Sequence, residues 1–82
     1  MPKNKSPFQR YLQDFMVSSG LTKKEIFGLS SVGVIRVRRI LDGVEPSGKE
    51  LIQLCLMISE VERRPVQIIL YEVLRAYVPR SS

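Results

Sequence analysis

Apolar residues return every three or four positions along most of this chain, the spacing of helices that each bury one face. Phe8, Tyr11, Leu12, Phe15 and Met16 form the first such stripe. Ser6 stands at its cap, Pro7 at the first helical position and Gln9 where a capping box places Glu or Gln, and Gly20 supplies a left-handed stop. Thr22-Lys23-Lys24-Glu25 is a second capping box, with Leu21 and Ile26 at the positions of a hydrophobic staple, and it predicts a short helix over 23–29. A third helix is predicted over 34–41, closed by Asp42-Gly43. Ser47-Gly48-Lys49-Glu50 is a third box, opening a helix that should carry Leu51, Ile52, Leu54, Cys55 and Ile58 inward. Pro65 is placed to start a fifth helix and Pro79 to end it. The Val-Gly-Val-Ile-Arg-Val segment at 32–37 has strand-like composition, but its capped helical neighbours argue against a lone strand.

The expected fold class is therefore all-α, a compact bundle of about five short helices in one domain. Residues 1–5 read as a flexible basic arm, 6–78 as the domain and 79–82 as a short tail. With 82 residues, 44% hydrophobic and 26% charged, the chain has the composition of a globular domain with a modest core. Its chemistry is narrow. One cysteine rules out an intramolecular disulfide, and the absence of histidine rules out a His-containing zinc site, a Ser-His-Asp triad and a Cys-His pair within the chain. Cys55 lies on the inward strip of the fourth helix and reads as core rather than nucleophile. The expectation is a protein that is not an enzyme and needs no metal and no cofactor.

Thirteen Lys and Arg against eight Asp and Glu give a net charge of +5, which favours an anionic partner, nucleic acid ahead of a membrane surface. Met-Pro-Lys-Asn-Lys-Ser-Pro at the start carries no apolar run of the signal-peptide kind, and no stretch approaches the ~20 apolar residues of a membrane span. The expected location is cytoplasmic. The basic residues also cluster: residues 21–43 hold five (Lys23, Lys24, Arg36, Arg38, Arg39) against two acidic ones (Glu25, Asp42). On a helix with Val37 and Ile40 facing inward, Arg36 and Arg39 should share an outward face, with Arg38 to one side.

Residues 20–58 resemble the phage Cro/repressor helix-turn-helix family. Gly20-Leu21-Thr22 matches its opening and Glu25-Ile26 the acidic-aliphatic pair that follows. Val32 falls on the aliphatic turn residue, Val37 and Ile40 on the buried positions of the recognition helix, and Gly43 on its end. Pro46-Ser47 then opens the next helix, with its Leu51-Ile52-x-Leu54-Cys55 strip, and the register from Leu21 to Gly43 needs no gap. Three positions depart from the family pattern: Ser31 replaces a turn glycine, Gly33 a Ser or Thr cap, and Val34-Ile35 the usual polar start of the recognition helix.

The resemblance implies a sequence-specific regulator of transcription, a repressor in the first instance, with a recognition helix at about 33–41 in the major groove of double-stranded DNA. It assigns base contacts to Gly33, Val34, Ile35, Arg36 and Arg39, with Arg39 the best candidate to pair with guanine. It assigns phosphate contacts to Thr22, Lys23, Lys24 and Arg38, where a helix N-terminus adds its dipole to the lysine charges. The helix at about 65–78 carries more apolar residues than one buried stripe needs, so a homodimer is expected, with Ile69, Tyr71, Val73, Leu74 and Tyr77 at its interface. A second class remains open: a protein-interaction module, antirepressor or adaptor, that uses the Val34-Ile35 surface to bind another regulatory protein.

Overall fold

Three helices of this chain begin where a serine or threonine side chain accepts from a free helix N–H group. The computed structural model describes residues 6–78, so the expected arm at 1–5 and tail at 79–82 lie outside the described residues. Five α-helices and no strand are found among them: α1 (Pro7–Ser19), α2 (Lys23–Ser30), α3 (Val34–Leu41), α4 (Gly48–Glu62) and α5 (Val66–Tyr77). The apolar, β-branched stretch at 32–37 is helical from Val34 onward, continuous with the capped elements around it.

Two of the expected capping boxes form in full. The Glu25 carboxylate accepts from the Thr22 N–H at 2.8 Å while Thr22 Oγ1 accepts from the Glu25 N–H at 3.2 Å, and Ser47 and Glu50 repeat the exchange at 2.9 and 3.2 Å. The first does not form as a box. Ser6 Oγ accepts from Phe8 N–H, but the Ser6 N–H is taken by the Gly43 carbonyl at 3.0 Å, which leaves Gln9 without its expected partner. Gln9 Nε2 instead donates to the Leu41 carbonyl at 3.0 Å and satisfies an acceptor left free at the end of α3. The start of α1 and the end of α3 thus close each other.

Helix packing runs as a ring, α2 against α3, α3 against α1, α1 against α5, α5 against α4 and α4 against α2. The α2–α3 pair lies on one side of this ring and α5 on the other. Phe8 and Leu12 of α1, Ile26 of α2, Val37 and Ile40 of α3, Leu54 and Ile58 of α4, and Ile69 and Val73 of α5 meet in one fully buried core. At ~25 cal/mol per Å² of apolar surface removed from water, this shared burial is the main favourable term holding the short helices together. Ile52 corrects one expectation, since it is 54% exposed. At 100° per residue it lies about 120° round α4 from Ile58, and the buried position belongs to Met57. No helix of the described residues is long and apolar enough to cross a membrane.

Candidate nucleic-acid interface

A turn of three residues joins α2 to α3, and its geometry follows from two serines. Ser31, which replaces a turn glycine, ends α2 in the left-handed region at φ 66°, a strained conformation for a residue with a side chain. Its buried neighbour Ser30 holds the turn: Ser30 Oγ donates to the Ile26 carbonyl at 2.6 Å and accepts from the Val32 N–H at 3.2 Å. Val32 is thereby drawn into the core. Gly33 caps α3 with no side-chain hydrogen bond, as its lack of a side chain requires. These contacts fix α3 beside α2.

The face of α3 turned away from the core is not the one the arginine spacing suggested. Val37, Ile40 and Leu41 are buried, so at 100° per residue the opposite face centres on Ile35, Arg38, Arg39 and Asp42, all exposed. Ile35, at 69% exposure, stands out furthest toward solvent at the start of the helix. Val34 is half-buried on one flank.

Arg36 is on the other flank, about 100° from Ile35, and is committed elsewhere. Its Nε and Nη2 grip the two Glu50 carboxylate oxygens at 2.7 and 2.8 Å. Such a bidentate pair is strong and directional. It raises the arginine pKa further, and the Arg36 hydrogen bonds, aided by the Ser47 N–H, hold the Glu50 carboxyl down at about 2. Arg36 therefore corrects the expected base-reading set: its fork fastens α3 to the N-terminus of α4. Glu50 was legible only as a capping residue. Nothing in local spacing links it to an arginine fourteen positions earlier.

Arg38 and Arg39 form no ion pair among the described residues. Thr22, Lys23 and Lys24 are exposed at the start of α2, the element packed on α3. There the first N–H groups of the helix and two ammonium groups face solvent together. Lys23 and Lys24 of α2 and Ile35, Arg38 and Arg39 of α3 are thus all exposed on one packed helix pair.

On the opposite side of the ring, α5 corrects the expected dimer set. Ile69 and Val73 are 0% exposed and belong to the core. Tyr77 is partly buried and used within the chain, its hydroxyl donating to Glu45 at 3.0 Å and lying 3.3 Å from Ser6 Oγ. The outward strip of α5 is Ile68, Tyr71 and Leu74, with the Arg75 guanidinium 5.7 Å above the Tyr71 ring. An ion network fastens α5 inward. Arg64 pairs with Glu62 at 2.9 Å and with Glu72, and Glu72 also accepts from Tyr11 Oη at 2.7 Å.

Cys55 is fully enclosed, and burial pushes its thiol up to about 11, so it is protonated at neutral pH. Protein-family models, curated proteins and solved structures give no match to the chain.

Proposed function

We propose that this chain is a sequence-specific DNA-binding regulator of transcription that acts in the cytoplasm as a repressor, by occupying its site, with no enzymatic step and no cofactor. The observation that carries this reading is the solvent face of the α2–α3 pair. Arg38 and Arg39 stand there without an ion-pair partner among the described residues, beside the exposed Lys23 and Lys24. The resemblance of residues 20–58 to the Cro/repressor family supports the same assignment.

In this reading α3 enters the major groove and α2 directs its N-terminus at the phosphate backbone. Thr22, Lys23, Lys24 and Arg38 neutralise phosphates and set affinity and register, while Arg39 discriminates by pairing with guanine O6 and N7. A homodimer formed through Ile68, Tyr71 and Leu74 places two such units on a two-fold symmetric site. Selection from a random duplex library at near-physiological salt tests this. Enrichment of a symmetric site with half-sites about one helical turn apart is the expected result. A folded protein that enriches nothing contradicts it.

The exposure of Ile35 favours one other reading, a module that binds another regulatory protein through Val34 and Ile35. Salt separates the two. Duplex binding falls steeply as salt rises, because counterions are released from neutralised phosphates, whereas an apolar protein contact changes little.

A further inference from the structure

The first turn of a recognition helix is the part that reaches base edges, and here the one hydrogen-bonding side chain it holds is already engaged by a carboxylate. Gly33 has none, Val34 and Ile35 are hydrocarbon, and Arg36 has both Nε and Nη2 bonded to Glu50. Ile35 is nonetheless the most exposed apolar residue of α3. In the major groove the one apolar mark that a base pair displays is the 5-methyl group of a pyrimidine, carried by thymine. 5-Methylcytosine presents the same group at the same ring position.

We propose that Ile35 reads a pyrimidine 5-methyl group in the half-site, so that the protein distinguishes thymine and 5-methylcytosine from unmethylated cytosine at that position. The inference rests on the DNA-binding reading above and specifies what that site recognises. Arg39 lies four residues further along the same face, roughly 6 Å along the helix axis. Its guanine therefore lies in the same half-site as the methyl-bearing base. The Arg36–Glu50 pair is what makes this discrimination apolar. A free guanidinium at Arg36 would compete for acceptors in the same groove segment.

The test uses the intact protein and the duplex obtained by selection. Each thymine is replaced in turn by deoxyuridine, which removes the methyl and leaves the Watson-Crick edge and O4 unchanged. One position per half-site should lose about three- to fivefold in affinity, the effect of uncovering a single methyl. Cytosine placed at that position should bind weakly, and 5-methylcytosine should recover the lost affinity. Ile35→Ala, a change at an exposed side chain, should bind the thymine and deoxyuridine duplexes equally. Indifference of the wild-type protein to deoxyuridine at every position overturns the proposal, as does a deoxyuridine penalty that persists in Ile35→Ala. Failure to bind any duplex overturns the DNA-binding reading itself and this proposal with it, and is told apart from the first outcome by the absence of a binding isotherm.

Discussion

The two sides of the helix ring solve different problems with similar residue types. Residues 21–43 hold five basic side chains against two acidic ones, while residues 44–78 hold four against five. On the second side one of the four, Arg64, is drawn by Glu62 and Glu72 to fasten helices, and the outward strip of α5 is apolar. On the first side Arg36 alone is so used among the described residues. Arg38 and Arg39 project from the same helix beside the exposed Ile35. The difference is instructive because arginine count alone says nothing about availability. One guanidinium in α3 is a fastener, and its neighbours two and three residues on are free to meet an anion.

The sharpest way to break this comparison is to test whether α5 divides into a core face and an outer face. Ile69→Ala should cost about 2–5 kcal/mol of unfolding free energy in denaturant titration, at any protein concentration. Leu74→Ala should cost under about 0.5 kcal/mol in the monomer and weaken self-association in sedimentation instead. Equal losses from both would merge the two faces.

On the opposite side, Arg39→Ala should weaken specific duplex binding by about 1–3 kcal/mol and relax preference at one base pair, with unchanged thermal unfolding. Lys23→Ala should act differently, lowering affinity for all sequences alike and reducing the salt slope by about 1.

Glu50 sharpens the contrast between fastening and free charge through pH. Its carboxyl is held at about 2, below its ordinary value of 4.5, so its contribution to stability is complete above ~4.5 and is lost as pH falls toward 2. Arg36 stays charged throughout. Glu50→Gln should lower stability at neutral pH and flatten the acid limb between those values in thermal melts. An acid limb identical to that of the wild-type protein would remove Glu50 from the account. A small effect of opposite sign is expected at Ser31. Ser31→Gly relieves left-handed strain but loosens the unfolded chain, for a net gain of a few tenths to about 1 kcal/mol.

The helices were legible in the sequence because their ends are written locally. Thr22 with Glu25, Ser47 with Glu50, and Gly20 each act within a turn of helix, and spacing within that range suffices to place them. The same locality explains what was missed. Arg63 ends α4 in the left-handed region at φ 57° with no glycine to announce it, supported by a Ser59 hydroxyl that donates to the Arg64 carbonyl at 2.5 Å. Gln9 reads as a capping partner from its spacing to Ser6, while its acceptor Leu41 is thirty-two residues away. Local spacing likewise points Arg36 outward, because its carboxylate lies on another helix. For α5, composition revealed an excess of apolar residues but not which face the core would claim. That choice depends on α1 and α4 packing against it, and it assigned Ile69 and Val73 to the interior.

An amide chemical-shift map recorded while adding the selected duplex tests the central claim most directly, because it reports both sides of the ring at once. The account predicts perturbations at Lys23, Lys24, Ile35, Arg38 and Arg39, with the outer strip of α5 unaffected once the dimer is formed. Perturbations centred on residues 44–78, or none at saturating duplex, would contradict it.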